Sequence, residues 1–585
     1  VLLARLGSAD AEASDANELE RILPGVASHA SFRTECGVVL LGAGFHGSLQ
    51  RGDDFVAAWT RGSGALAKGR RPLLRELRAG ALIVASRTGL EISRGPYGGQ
   101  SLYYWAPEPA AQTLVVSSTL ASLVTALGHR PALDADRLAA LAIGAIGPDP
   151  RATIYRGVRR VLPCETIAFS RDGQRSSFNV PHVPRRLPGD PRGHALAMRD
   201  AISGVIARDL ASFDAVAVAT GGGLDSSALF ALVARRAAEI GSLRYTGLTM
   251  DFEGPGDDRP HLAALLRKLD AETIRVGADE VGSISDDTFI QDAAPYIWPT
   301  AAVDLVARRR AKAWGAQATV SGGGGDQILD GDDASFARRV ASGSLLAVLE
   351  AARLQVPYNS SPRKRLARFV INPILRPYVP QSWLRRRRAQ ALGAAAYSHW
   401  AGPRLRQQLT STLAIPPQLS EDWLTAYALS HEMMDAADVR RQAESACGLP
   451  QIDPYLDPEF IELVASFPPE ELFSGGRTRG LFRDAMRGLL PESLRLRRDK
   501  AEFSPLVDAT FAQFGGAGAF RDLLTMEASA DLGIVDPVVF RGWFDRITKG
   551  EQVCYGWFNV WPALGVEAFL RSARGSRDAA ELGDA

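Results

Sequence analysis

Apolar and polar positions follow three different rhythms along this chain. Between residues 36 and 185, short apolar pieces such as "CGVVLLGAGF" and "GALIVAS" are separated by glycine turns, which predicts a β-rich segment. Near 181–192, "PHVPRRLPGDPR" gathers Pro, Arg and Gly into a boundary. Beyond it, "GHALAMRDAISGVIARDLASF" carries apolar residues at helical spacing. A strand–loop–helix pattern then repeats. "DAVAVAT" leads into "LDSSALFALVARRAA", and "LRYTGLTM" leads into "RPHLAALLRKL"; "ETIRVG", a helix across 303–315 and "QATVSGGGGD" follow. Strands alternating with helices predict a parallel sheet covered on both faces. From about residue 335 the pattern is mostly helical, and no internal repeat is visible. The tail "ARGSRDAAELGDA" is small and polar and is expected to be disordered.

Length changes this picture first. At ~150 residues per domain, 585 residues imply two to four domains. The 67 Lys and Arg against 66 Asp and Glu leave a net charge of +1, so the chain as a whole has no nucleic-acid or acidic-tail signature, local patches aside. Cys36, Cys164, Cys447 and Cys554 form no CxxC pair and no Cys/His cluster. Neither a zinc site nor a disulfide framework is expected, and reduced thiols in the cytoplasm are. No run of 18 apolar residues occurs, so no membrane span is expected. The first residues, "VLLARLGSADAEASDANELER", lack a basic stretch followed by an apolar one and do not read as a secretory signal.

The candidate chemistry lies in "VAVATGGGLDSSALFALVA", residues 216–234. In an open parallel sheet, ligands bind beyond the carboxyl ends of strands. Gly221, Gly222 and Gly223 would let backbone N–H groups turn toward an anion, and the helix starting near Leu224 would add its positive end. Ser226 and Ser227 are candidates to cap that helix and donate to phosphate oxygens. Asp225 repels a phosphate unless Mg²⁺ sits between them. The loop has neither the GK[ST] ending of a Walker A loop nor the GxGxxG spacing of a dinucleotide site. The plainer alternative is a tight turn that needs glycine only for packing. "TVSGGGGDQILDGD", 319–332, repeats the arrangement of strand, glycine run and aspartate. Two such loops on one sheet would bring Asp225 and Asp326 to the same metal; a flexible turn is the alternative for the second loop alone.

These residues resemble the asparagine synthetase superfamily. "GGGLDSS" is similar to its SGGxDS pyrophosphate loop, with Gly221 where the first Ser stands, and "SGGGGDQILDG" to its SGxGxDExxxG loop, with Gln327 for Glu. "SRGPYGGQSLYYW", "TIYRGVRRVLP", "PYLDPEFIELVASFP" and "RGLFRDAMRGLLPESLRLRRDKAEFSP" resemble four further motifs of the superfamily, in the right order and over nearly the whole chain. The resemblance implies an α/β protein with a degenerate, glutaminase-like (Ntn-type) β-rich sandwich over 1–188. It implies a parallel-sheet ATP-pyrophosphatase (adenine nucleotide α-hydrolase-like) synthetase domain over 189–575, helical in its C-terminal half, with 576–585 a disordered tail. It further implies an ATP- and Mg²⁺-dependent ligase that adenylates a carboxylate, releases pyrophosphate and lets an amine displace AMP. ATP and its pyrophosphate would contact Thr220, Gly221, Gly222, Gly223, Asp225, Ser226, Ser227, Met250, Gly322, Gly323 and Gly324. Asp225 and Asp326 would hold the metal. Arg479 stands where the superfamily often has a catalytic lysine, and Lys500 is a second cationic candidate; a solvent-facing arginine is the alternative for Arg479, and a core methionine for Met250. Tyr296 and Asp304 lead into the second loop as weaker substrate candidates.

Departures from the superfamily pattern narrow the choice. Glutamine-using relatives need an N-terminal nucleophilic cysteine, whereas Cys36 falls in a predicted strand and reads as a buried structural thiol. Ammonia production from glutamine is therefore not expected. Gly323 stands where asparagine synthetases carry Glu and β-lactam synthetases a catalytic Tyr, and Pro450 and Ile452 replace a Glu and an Arg. A bare Gly323 is expected to leave space for a substrate larger than aspartate. The combination most resembles the lasso peptide macrolactam synthetases, or lasso cyclases, which join a core peptide's N-terminal amine to an internal Asp or Glu side chain. An α-amine with a pKa of about 7.7–8.0 is partly neutral in the cell and has less need of a strong base. The implied partners are a precursor core peptide, a leader-peptide protease and a precursor-recognition protein. An asparagine- or β-lactam-forming ligase of small molecules remains the second reading. A non-catalytic or RNA-binding protein retaining the fold is the third, although RNA-thiolating relatives use reactive cysteine pairs that this chain lacks. The basic, aromatic-bearing stretch 362–390 reads as a solvated face, or else as a dock for an acidic leader or anionic lipid.

Overall fold

The structure is a computed structural model that describes residues 2–5, 30–34, 37–41, 81–86, 89–95, 101–106, 113–144, 149–170, 173–178, 186–254, 257–356, 361–375, 378–380, 399–411, 439–440, 442–499, 503–551 and 556–575. Cys36, Cys554, Lys500, residues 381–398 and the tail lie outside the described residues. Strands before Glu91 are described by their backbone alone.

Among the described residues, ten antiparallel strands come first. β1 (Leu2–Arg5), β7 (Thr113–Ser117), β6 (Tyr103–Trp105) and β8 (Val158–Arg160) form one sheet in that order. β10 (Gly173–Phe178), β9 (Glu165–Ser170), β5 (Gly89–Arg94), β4 (Ala81–Ser86), β3 (Gly37–Leu41) and β2 (Ala30–Thr34) form the other. Ile92, Ile167 and Phe169 of the second sheet share a buried cluster with Tyr104 and Val116 of the first, so the sheets face each other. Cys164 is buried beside this cluster, and burial pushes its thiol up to about 12, which keeps it protonated and inert.

The chain then folds as α/β. α1 (Pro191–Asp209) starts where the Asp190 carboxylate accepts the Gly193 N–H at 2.7 Å and Pro191 fills the first turn. β11 (Ala215–Ala219) leads to α2 (Leu224–Ile240), which stops at Gly241 in a left-handed conformation, φ 76°. β12 (Arg244–Met250), α3 (Arg259–Leu269) and β13 (Thr273–Val276) follow. A short hairpin, β14 (Ile290–Gln291) and β15 (Ala294–Pro295), precedes α4 (Ala301–Trp314) and β16 (Ala318–Val320). The last strand, β17 (Gln451–Ile452), arrives far later. All five main strands are parallel, in the order β13-β12-β11-β16-β17. The expected strands and helices between residues 191 and 320 are all present; the two-residue β17 carries too short a pattern to be foreseen.

β11 explains how the two faces are covered. Val216 and Val218 point into a core with Met198 and Ile202 of α1 and Phe230 of α2. Ala217, one residue out of phase, points into a second core with Val303 of α4 and Trp561 and Phe569 of the C-terminal helix. A strand buried on both faces reads as a continuous apolar run, as this one does. From β11 the chain builds outward to β12 and β13, then returns to add β16 and β17 on the other side. That reversal opens a crevice between the carboxyl ends of β11 and β16.

The hairpin ties the β-rich part to the α/β part. Asp292 and Ala293 both have positive φ, 50° and 53°, as a tight two-residue hairpin turn requires. The turn presents the Asp292 carboxylate to the backbone N–H groups of Leu120 and Ala121, each at 3.0 Å, where the helix Leu120–Leu127 begins. The Ala293 carbonyl accepts the Tyr155 hydroxyl at 2.6 Å. No described helix is long and apolar enough to cross a membrane. Asp292→Ala removes a helix cap and is expected to lower the unfolding free energy by about 0.5–2 kcal/mol. Urea denaturation checks it, and an unchanged midpoint would show that the carboxylate contributes no stability across this junction.

Candidate active site

β11 ends at Ala219, and Thr220–Gly223 carry the chain into α2. Thr220 is still tied to the sheet: its N–H donates to the Leu248 carbonyl at 2.9 Å, and its carbonyl accepts Thr249 Oγ1 at 2.8 Å. Its own hydroxyl is buried without a partner. Gly223 is the N-cap, and no side chain caps the helix, so the positive end of α2 is left bare. Ser226 and Ser227 turn back onto the loop rather than toward the crevice. Ser227 Oγ donates to the Gly221 carbonyl at 3.2 Å and Ser226 Oγ to that of Gly223 at 3.5 Å. They hold the loop's shape in this structure.

The Gly222 N–H meets an anion, but a protein one: Asp258 Oδ2, at 3.0 Å. Asp258 immediately precedes α3 and pairs with Arg497, whose Nη1 also donates to the Gly222 carbonyl at 2.8 Å. A Cβ on Gly222 would lie 2.6 Å from the Asp258 carbonyl oxygen and 2.7 Å from His261 Cβ. Glycine is required there by close approach rather than by unusual dihedrals.

The second loop, Ser321–Gly324, leads from β16 into the short helix α5 (Gly325–Leu329). It packs directly on the first. A Cβ on Gly325 would stand 3.0 Å from Asp225 Cβ and 3.1 Å from Tyr455 Cδ2. Tyr455, in the turn after β17, donates its hydroxyl to the Asp225 carbonyl at 2.9 Å. The ends of β11, β16 and β17 therefore meet around Asp225.

Asp225 and Asp326 do converge, and a third carboxylate joins them. All three bind one guanidinium. Arg479 donates through Nη1 to Asp225 and through Nη2 to Asp326, and through Nε to Asp330 at 2.5 Å. Arg479 is thus no solvent-facing arginine; its side chain is only 11% exposed. Burial opposes its charge, but the Asp225, Asp330 and Asp326 carboxylates outweigh burial and hold its pKa above the usual arginine value. Burial pushes the Asp225 carboxyl up while Arg479 pulls it down. The arginine sits in a left-handed conformation, φ 56°, directly before helix α6 (Gly480–Ala485). Such a conformation costs a non-glycine residue about 1–3 kcal/mol and persists only where the surroundings enforce it. Two further arginines crowd the same turn, and burial followed by the charges of Arg479 and Arg477 lowers Arg483 to about 10.

The donors here are suited to a hard divalent cation. Asp225 Oδ1 is buried with no partner, and Asp326 and Asp330 add carboxylate oxygens, the ligand type that Mg²⁺ takes. Among the described residues no three His, Cys, Asp or Glu side chains form a metal cage by themselves.

The space expected beside Gly323 is filled. A Cβ there would lie 2.8 Å from Asp453 Oδ1 and 3.4 Å from Arg440 Nη1. These two pair with each other at 3.2 Å. Behind them runs a polar chain: Gln451 Nε2 donates to Asp453 at 2.8 Å, Arg308 Nη2 to Gln451 at 2.5 Å, and Arg308 Nε to Asp304 at 2.8 Å. Asp304 is thereby engaged within the protein. Tyr296 is buried, which pushes its hydroxyl well above the usual tyrosine range. Met250 closes β12 and packs partly into the core. Asp330 carried a readable signal, since it lies four residues after Asp326. Asp258, Arg497, Tyr455 and the Arg440–Asp453 pair carried none strong enough to single out.

Gly222→Ala is expected to cost about 1–3 kcal/mol, because the loop must shift against backbone. Gly223→Ala, whose Cβ would meet only Ser226 Oγ at 3.5 Å, is expected to cost less than about 1 kcal/mol. Denaturation of the two variants side by side checks the difference; equal costs would mean that the loop is not wedged between Asp258 and Arg497.

Residues 197–570 match the asparagine synthase family. No curated protein matches the chain. Solved structures similar to part of it include a glutamine phosphoribosylpyrophosphate (PRPP) amidotransferase from B. subtilis complexed with ADP and GMP. That match has 14% identity and a TM-score of 0.17, and covers 50% of this chain and 63% of the other. An allosteric regulatory enzyme of purine biosynthesis matches at 14% identity with a TM-score of 0.18, covering 50% of this chain and 61% of the other. The chain thus spans under two thirds of the length of either structure. With the family match extending over both glycine loops, the parallel sheet and the helix after Arg479, the chain belongs to the asparagine synthase family.

Proposed function

We propose that the protein is an ATP-dependent ligase that forms carbon–nitrogen bonds. The observation that carries this reading is the convergence of Asp225, Asp326 and Arg479 where the two glycine loops meet. A substrate carboxylate oxygen attacks the α-phosphorus of ATP, the bond to the β-phosphate breaks, and pyrophosphate leaves. An amine nitrogen then attacks the acyl carbon, the bond to AMP breaks, and the nitrogen loses a proton. The N-terminal end of α2, which no side chain caps, would favour the negative charge of the departing pyrophosphate. Asp225 and Asp326 are the residues that would hold Mg²⁺, which when bound offsets charge on the phosphates. Arg479 presents a fork of donors suited to a phosphate.

Within this class we favour peptide macrolactam formation of the lasso type, in which an Asp or Glu side chain of a core peptide is joined to the peptide's own N-terminal amine. No side chain at Gly323 supplies the Glu or Tyr of the small-molecule enzymes. An amine with a pKa near about 7.7–8.0 has less need of one. Such a ring closes rarely in solution, because ordering the peptide is entropically costly, so the enzyme's main task is to hold amine and acyl group together. A leader-peptide protease and a precursor-recognition protein are the partners this reading implies. A second reading, amide formation on a small molecule, is favoured by the Asp453–Arg440 pair that fills the space beside Gly323.

Pyrophosphate exchange into ATP separates the two. The protein with ATP, Mg²⁺ and a leaderless core peptide is expected to catalyse exchange and to yield a product lighter by one water, with AMP formed. Asp225→Asn or Asp326→Asn is expected to lower exchange about 10²–10³-fold, as loss of a preorganised charge-stabilising group does. Exchange with free aspartate or a small β-amino acid, and never with a peptide, would replace the macrolactam reading by the second. Full exchange in both variants would remove the two aspartates from the chemistry.

A further inference from the structure

We propose that Arg479 is a stand-in cation, filling the metal's place in the nucleotide-free protein so that a divalent ion enters only together with nucleotide. The proposal rests on the reading that this crevice takes a metal-bound nucleotide.

Three different nitrogens of one guanidinium reach three different aspartates, drawn from both glycine loops. Three carboxylates this close repel one another unless a cation stands among them. Arg479 supplies one positive charge against three negative ones, so a divalent ion taking its place would balance the carboxylates more fully than the guanidinium does. With the arginine among the carboxylates, no three acidic, His or Cys side chains of the described residues close into a cage. Mg²⁺ is ordinarily held by one or two carboxylates plus substrate phosphates, not by a cage made wholly of protein.

The surroundings decide what can displace the guanidinium. The backbone of Arg479 is fixed, in a left-handed conformation and followed by Gly480, on which a Cβ would lie 1.9 Å from the Ser474 carbonyl oxygen. Only the side chain can move. Arg477 and Arg483, which flank it, are themselves cationic. Arg477 Nε is itself buried without a partner, and Arg483 donates to the carbonyls of Thr478 and Arg495. A metal ion arriving alone would break three ion pairs and leave a buried guanidinium among other guanidinia. A triphosphate arriving with the metal offers that guanidinium a bidentate acceptor. Asp225 Oδ1, buried and unpaired, is then a ligand oxygen that the arginine has left open. Metal and nucleotide must therefore raise each other's affinity by the same factor.

Mn²⁺ titration followed by electron paramagnetic resonance tests this, with and without α,β-methylene ATP as the probe nucleotide. Wild-type protein is expected to bind Mn²⁺ weakly alone. Arg479→Gln is expected to bind a single Mn²⁺ without nucleotide about 10-fold tighter or more, within the usual 5–150-fold range of site coupling. Arg479→Lys, which keeps the charge but cannot bridge three carboxylates, is expected to fall between the two and serves if the Gln variant does not fold. Nucleotide-free Mn²⁺ affinity unchanged in the folded variants, or already as tight in wild type as with the probe nucleotide, overturns the proposal. Folded wild-type protein that binds neither the probe nucleotide nor Mn²⁺ in its presence would instead overturn the nucleotide reading on which the proposal rests.

Discussion

The grip of one arginine on three aspartates is the contact on which the rest of this site depends. Buried charges are tolerated only when paired and well bonded. Asp225 follows β11, Asp326 and Asp330 follow β16, and Arg479 comes from a turn 254 residues beyond Asp225. The pairing therefore fixes the mutual position of both glycine loops and the C-terminal turn in a single set of bonds. Removing Arg479 would leave three neighbouring carboxylates without their shared counter-charge. The glycines serve the same end: position 325 must lack a side chain for the second loop to lie against Asp225, and Tyr455 locks the contact from the β17 side.

The sheet explains why the grip forms where it does. Strand order reverses between β11 and β16, so their connections diverge and leave a crevice at their carboxyl ends. Both faces of the sheet are packed, which confines any ligand to that edge. The second core, under Ala217, is built largely by the C-terminal helices, with Phe520, Phe544, Trp557 and Trp561 in mutual ring contact. The helical half thus delivers Arg479 and Arg497 to the crevice and also supports the sheet beneath it. Arg497, bonded to Asp258 and to the Gly222 carbonyl, fastens the first loop from the opposite side.

Much of the architecture was legible because it is periodic. β11, β12, α2 and α3 each carry a clear alternation or helical spacing, and the two runs of glycine ending in aspartate marked Asp225 and Asp326. Contacts between distant segments were not legible. β17 is two residues long and pairs with a strand about 130 residues earlier, so no local pattern announces it. Gly323 shows the limit most clearly. An absent side chain suggested room for substrate, but protein interiors are close-packed, and Asp453 and Arg440 fill the gap. Ser226 and Ser227 show another limit, since hydroxyls next to a tight turn bond the turn's own carbonyls when nothing else competes.

The central claim is that the crevice between β11 and β16 holds a nucleotide through its metal on Asp225 and Asp326. Anomalous diffraction from crystals grown with Mn²⁺ and a non-hydrolysable ATP analogue tests it most directly. The account predicts a manganese peak between Asp225 and Asp326, the triphosphate along Gly221–Gly223, and the Arg479 guanidinium moved from the aspartates onto phosphate oxygens. A well-occupied nucleotide bound elsewhere, with Arg479 still held by Asp225, Asp326 and Asp330, would contradict it.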